Sequence, residues 1–138
     1  MIVSYTHELP MGHRLQRHEG KCRTIHGHNY VVTVTVAGPI NVHTGMVVDF
    51  HDLKVAVRAV LERYDHALVL EDNDPVVHWL SDLRDPSGRA VANVITLPFP
   101  PTAENLALHW LGEFQDRIGG TLAATINVSE TRDCEVSA

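Results

Sequence analysis

The stretch His13-Arg-Leu-Gln-Arg-His18-Glu-Gly-Lys-Cys22-Arg-Thr-Ile-His26-Gly-His28-Asn-Tyr30-Val-Val-Thr-Val-Thr-Val36 decides how this chain folds. From Asn29 onward its residues alternate, with Tyr30, Val32, Val34 and Val36 on one side and Asn29, Thr33 and Thr35 on the other. A period of two marks a half-buried strand. Counted back on that parity, His28 and His26 fall on the apolar side, separated by a glycine. Two imidazoles facing a core at the mouth of a strand are either hydrogen-bonded core histidines or ligands of a metal ion. In the second reading His13 is the third ligand, and His18, in a polar loop, competes for that place.

Outward from this stretch, the 138 residues fit one domain, 1–138, with its own core. A net charge of −6 with only two lysines argues against a nucleic-acid-coating surface. No apolar run reaches transmembrane length, and the start Met-Ile-Val-Ser-Tyr-Thr-His-Glu lacks the pattern of a signal peptide. A cytoplasmic protein with no membrane partner, and with Cys22 and Cys134 as reduced thiols, is expected. Ten histidines favour metal or proton-transfer chemistry.

Residues 1 to 9 read as a strand, which Pro10-Met-Gly12 then bends. The central strand runs from about His26 to Ala37 and ends at Gly38-Pro39. Met46-Val-Val-Asp49, after the turn-like His43-Thr-Gly45, reads as a short strand paired with it in a hairpin. Asp49 caps a helix from about 50 to 64, where Leu53, Val57, Val60, Leu61 and Tyr64 recur at helical spacing. An extended apolar run follows through Leu70. Asp74-Pro75 opens a short helix through Leu83, Asp85-Pro-Ser-Gly88 is a turn, and Val91 to Leu97 is a strand. Thr102 caps a second main helix, whose apolar stripe runs from Ala103 to Ile118 and which Gly119-Gly120 ends. The last strand, Thr121 to Thr131, carries Leu122, Ala124, Ile126 and Val128 on one face, and the same parity continues to Glu130. This order predicts an α+β layer, an antiparallel four-stranded sheet with two helices on its apolar face and an extra segment around 71–96. The Thr- and Asn-rich opposite face meets solvent or a wet interface between subunits.

Three histidines with an open fourth position suit a catalytic zinc. Cys22 has Lys21 and Arg23 beside it, and cationic neighbours and a nearby metal favour a thiolate. The same thiol is also a candidate fourth ligand that would close a purely structural site. Asp65-His66 is either a proton relay or an ordinary helix-end pair. Glu130 is either a buried ion-pair partner or a carboxylate that accepts paired N–H donors from a ligand. Glu104 has the simpler reading of a helix-start charge, and Cys134 has no assigned role.

Together these pieces resemble the 6-pyruvoyltetrahydropterin synthase / 6-carboxytetrahydropterin synthase family. The matching elements are His13, Cys22-x-x-x-His26-Gly27-His28, His43-Thr-Gly-Met-Val-Val-Asp49-Phe, Asp65-His66, Pro101-Thr-Ala-Glu104-Asn105 and Ser129-Glu130-Thr131, in the family's order. The resemblance implies the tunnelling fold, with subunits assembled as a homohexamer, a dimer of trimers, and active sites at subunit interfaces. It implies Zn2+ held by His13, His26 and His28, with Cys22 as catalytic base. Asp65 and His66 would be the proton relay, Glu130 the anchor of the pterin ring, and Thr131 and Glu104 neighbours in the pocket. The three-residue gap after Cys22 resembles the bacterial 6-carboxytetrahydropterin synthases of queuosine and 7-deazapurine biosynthesis. Their substrate is 7,8-dihydroneopterin triphosphate, and the products are 6-carboxy-5,6,7,8-tetrahydropterin, acetaldehyde and triphosphate. Arg14, Lys21 and Arg23, and less so Arg17, are candidates for holding the triphosphate. Met11-Gly12 stand where the family has small residues, and 71–96 is longer than in its compact members.

Overall fold

Valine and threonine on alternating faces make the centre of the chain a sheet. In the computed structural model, which describes residues 1–118 and 122–138, β1 (Ile2–His13) and β2 (His26–Ala37) pair antiparallel over their whole length, with His13 opposite His26. α1 (Phe50–Leu61), β3 (Leu68–Glu71), α2 (Val76–Asp82), β4 (Val94–Leu97), α3 (Ala103–Ile118), β5 (Ala123–Thr131) and β6 (Cys134–Ser137) follow. The strands form one sheet in the order β4-β3-β1-β2-β5-β6.

The α+β layer is as predicted, but the sheet has six strands rather than four and is mixed. β3 runs parallel to both β1 and β4, while β6 returns antiparallel along β5. Leu9, Met11, Tyr30, Val32, Val34, Val36, Ile126 and Val128 are buried on one face. They meet Leu53, Val57, Val60 and Leu61 of α1 and Leu106, Ala107, Trp110 and Phe114 of α3. The third helix, α2, buries none of its residues. On the opposite face Ser4 and Thr35 share a hydroxyl hydrogen bond of 2.8 Å, and Thr6 and Thr33 one of 2.9 Å, a polar ladder of cross-strand pairs.

Two expectations fail for reasons of edge geometry. Met46–Asp49 is not a strand, because β2 is paired on both sides, by β1 and β5, and has no free edge. The segment instead closes a loop, with the Asn41 N–H donating to the Met46 carbonyl at 2.9 Å and Gly45 at a φ of 73°. Nor do Pro10 to Gly12 bend β1 away. A strand residue's N–H and C=O point to the same side, and the Pro10 carbonyl accepts from His66 N at 2.8 Å, away from β2. The proline's missing donor therefore falls on an edge that β3 covers only from Gly12 onward.

The caps are as read. Asp49 accepts from His51 N at 2.7 Å, and Thr102 Oγ1 accepts from Asn105 N at 3.3 Å. Gly88, at a φ of 83°, closes the turn opened by Asp85. The Gly119-Gly120 helix stop and the start of the last strand at Thr121 lie outside the described residues.

Candidate metal centre and active site

His13 ends β1, and His26 and His28 begin β2, so the register alone brings the three rings together. Their ligand atoms all lie within 4.8 Å of one another, and the ring centroids of neighbouring pairs are 4.6, 5.3 and 4.9 Å apart. His13 is 1% exposed. Its Nδ1 is 2.8 Å from the Pro101 carbonyl, ahead of α3, and His26 Nδ1 is 2.8 Å from the Thr24 carbonyl. A carbonyl only accepts, so both rings carry their proton on Nδ1 and present a bare Nε2. In metal-binding histidines the same bond from the far ring nitrogen fixes the tautomer and aims the bare nitrogen at the ion. Burial pushes the His13 imidazole below its ordinary pKa, against the pull of the Pro101 carbonyl and Glu130, which keeps it in the neutral, ligating form.

The cluster is not self-satisfied. Nε2 of His26 and of His28 are buried and unpartnered among the described residues. Glu130 Oε1 approaches His13 Nε2 to 3.2 Å and His28 Nε2 to 3.6 Å, which at the bare His13 nitrogen sets lone pair against lone pair. Core histidines paired with one another would not leave this surplus of acceptors. A cation, or N–H donors from a ligand, is its complement. His18 lies outside the cluster, its Nδ1 accepting from Gly20 N at 2.8 Å. Cys22 is also not among the convergent atoms, so the closed three-histidine, one-thiolate site finds no support.

Tyr30, which sequence reasoning treated only as core, donates its hydroxyl to Glu130 Oε1 at 2.9 Å. Burial, then the Glu130 charge, pushes its phenol pKa far up, so it stays a donor. The available signal was a tyrosine on a fully buried parity, whose polar tip needs a partner.

Two cavities flank this centre. One, of about 600 Å³, is lined by Cys22, Glu104, Glu130, Thr102 and Cys134, so the thiol and both carboxylates share one space. The other, of about 640 Å³, is lined by His26, His28 and His66 together with the paired Gly12 and Gly27. His66 Nδ1 and Asp65 Oδ1 are 2.8 Å apart, but His66 is 81% exposed and shares no cavity with Cys22. Within one chain His66 therefore shares a cavity with two of the clustered histidines, while Cys22 shares the other with Glu104 and Glu130. Thr131 lines a third cavity beside Glu130 with Arg132.

The basic candidates divide. Arg14 Nε lies 2.8 Å from the buried Asp74 carboxylate, as an ion pair whose N–H is not aligned on the oxygen. Arg17 is held by Glu71 at 2.7 Å. Both fasten the 14–18 loop, Arg17 to the end of β3 and Arg14 to the turn after it. Lys21 and Arg23 are exposed on the short 3-10 turn that carries Cys22.

The model of the 6-pyruvoyl tetrahydropterin synthase family matches residues 2–138. This chain belongs to that family. Among its relatives, the probable 6-carboxy-5,6,7,8-tetrahydropterin synthase of Halobacterium salinarum is 39% identical over 124 residues, 89% of this chain and 76% of that protein. The 6-carboxy-5,6,7,8-tetrahydropterin synthase of Rickettsia bellii is 34% identical over 133 residues, 94% of this chain and 93% of that one. The solved 6-pyruvoyl tetrahydropterin synthase of Plasmodium falciparum superposes with a TM-score of 0.76 at 21% identity, covering 100% of this chain and 96% of that one. The uncharacterized protein WS1659 of Wolinella succinogenes gives 0.77 at 21% identity, covering 100% and 98%. The tunnelling fold of the pterin synthases is thus the fold of this chain. No helix among the described residues is long and apolar enough to cross a membrane.

Proposed function

We propose that this pterin synthase family member is a zinc-dependent carbon–carbon lyase. It converts 7,8-dihydroneopterin triphosphate and one water to 6-carboxy-5,6,7,8-tetrahydropterin, acetaldehyde and triphosphate, in the cytoplasm and in service of queuosine or another 7-deazapurine. The carrying observation is the convergence of three histidine nitrogens, two of them buried and unpartnered, beside Glu130, whose cavity also holds Cys22 and Glu104. The carboxy name borne by the Halobacterium and Rickettsia relatives supports the carboxy product over the pyruvoyl one.

His13, His26 and His28 would hold the zinc through Nε2. When bound, the ion supplies Lewis-acid polarisation of the substrate's side-chain oxygens. Glu130, fixed by Tyr30, anchors the pterin ring through paired N–H donors, and Glu104 and Thr131 line the same region. Cys22 moves protons at the reacting carbons, and His66, oriented by Asp65, handles protons on the oxygens. Lys21 and Arg23 hold the triphosphate. Because His66 and Cys22 line different cavities of one chain, the complete site draws on a neighbouring copy, in a homohexamer built as a dimer of trimers. The outer edges of β4 and β6 and the threonine-lined face are surfaces suited to such assembly.

The test is metal add-back. Chelated protein should not consume the triphosphate, zinc should restore turnover, and Cys22→Ala should keep its zinc while turnover falls about a hundredfold or more. Loss of zinc in Cys22→Ala would make the cysteine a ligand and return the structural-site reading.

A further inference from the structure

We infer that a polar network around the buried Tyr64, made with Arg63 of the same turn and His109 and Glu113 of α3, is the positioning device of the Asp65–His66 pair. The inference rests on the relay reading above. His66 is the only non-glycine among the described residues with a positive φ, 56°. Side chains avoid that region, so the surroundings must impose it. On one side the His66 N–H is tied to the Pro10 carbonyl at 2.8 Å, and Gly12 N donates to the Ala67 carbonyl at 2.8 Å. On the other side the chain enters from the 3-10 turn Glu62–Tyr64, and Ala67 N reaches back to the Tyr64 carbonyl at 3.0 Å. The residues preceding the relay are therefore set by whatever holds Tyr64.

That hold is unusually complete. The Tyr64 ring is fully buried, edge-on to Trp110 with centroids 5.4 Å apart. Arg63 donates to the phenol oxygen at 2.7 Å, and its guanidinium carbon lies 4.8 Å from the ring centroid. The phenol also hydrogen-bonds His109 Nε2, 3.0 Å away, the same nitrogen that approaches Glu113 Oε1. Glu113 closes the loop by pairing with Arg63 and lying 3.1 Å from His109. Phe99 packs edge-on against the His109 ring at 5.4 Å. Two helical residues one turn apart thus clamp the residue immediately before the relay, while touching none of the metal ligands. Neither Glu113 nor His109 lines either cavity of the centre, so they act through Tyr64.

The experiment is a double-mutant cycle on the full chain with zinc bound. Tyr64→Phe keeps the ring on Trp110 and removes the oxygen that joins Arg63 to His109. It should lower kcat about tenfold with KM and zinc content unchanged. Combined with His66→Ala, it should lower kcat no further than His66→Ala alone, because both changes disable one relay. His109→Gln, whose amide can still hydrogen-bond the phenol, should stay near wild type, and His109→Leu should match Tyr64→Phe. These two also carry the test if Tyr64→Phe fails to fold. An unchanged kcat in Tyr64→Phe or His109→Leu, or losses that multiply in the double mutant, would overturn the positioning role. An unchanged kcat in His66→Ala would instead sink the relay reading beneath it.

Discussion

Removing the His28 imidazole separates a metal ligand from a core histidine, because the two readings predict opposite responses to zinc. In the metal-free chain His28 Nε2 is buried without a partner, a burden of about 1–3 kcal/mol. Truncation to alanine relieves that burden but loses the ring's packing against His13, His26 and Tyr30, at centroid distances of 5.3, 4.9 and 5.6 Å. The side chain is 21% exposed, so the two effects offset to about 1 kcal/mol in either direction. With zinc the balance changes. Free zinc at about a hundred times its Kd stabilises the native state by about 2.7 kcal/mol. For 138 residues, at about 2.1 cal/mol/K each, the unfolding entropy is about 0.29 kcal/mol/K. Zinc should therefore raise the Tm of the wild-type chain by about 9 °C. His28→Ala should melt within about 4 °C of wild type when both are metal-free and should gain almost nothing from zinc. Differential scanning calorimetry with chelator and with added zinc, alongside metal analysis, reads both numbers. A full zinc shift in His28→Ala would refute the ligand assignment. A metal-free variant that melts far below wild type would show a satisfied core histidine instead.

Two more outcomes follow from other parts of the molecule. Glu130→Gln keeps the shape of the side chain and its contact with Tyr30 but no longer accepts two N–H bonds. Affinity for a pterin analogue, measured by calorimetry, should fall about tenfold or more with zinc retained, and unchanged affinity would remove the anchor role. Glu71 gives a pH signature. The Gln16 amide, with Arg17 and Asn73, holds its carboxyl below the ordinary value near 4.5 despite burial. The unfolded chain therefore takes up a proton at a pH where the native chain resists it. That contribution is complete above the ordinary value and is lost as pH falls through the native one. Urea unfolding from pH 7 to pH 3 should show Glu71→Gln less stable at neutral pH, with the gap to wild type closing in acid. Parallel curves would rule this carboxylate out as a source of acid sensitivity.

The parts of the site legible in the sequence were those that a period of two can carry. His26, His28 and Glu130 stood on the buried parity of strands, and the structure keeps all three on the side of the core. Caps were legible too, since Asp49 and Thr102 act within a few residues of their own position. What was hidden depends on distant partners. The β-branched run at Met46–Val48 looks like a strand until β5 takes the last free edge of β2. Cys134–Ser137 has too few residues to display a period, yet pairs with β5 and brings Cys134 to the cavity of Cys22. Arg14 looked available because the Asp74 that claims it lies sixty residues on in the sequence. Tyr30's link to Glu130 spans a hundred residues and no local pattern announces it.

The most direct test of the whole account is the ratio of acetaldehyde to triphosphate released when the zinc-loaded chain consumes 7,8-dihydroneopterin triphosphate. One acetaldehyde for each triphosphate, together with 6-carboxy-5,6,7,8-tetrahydropterin, is the predicted result. Triphosphate without acetaldehyde would make the chain a pyruvoyl-forming synthase on the same site, and no consumption of the substrate at all would contradict the lyase reading.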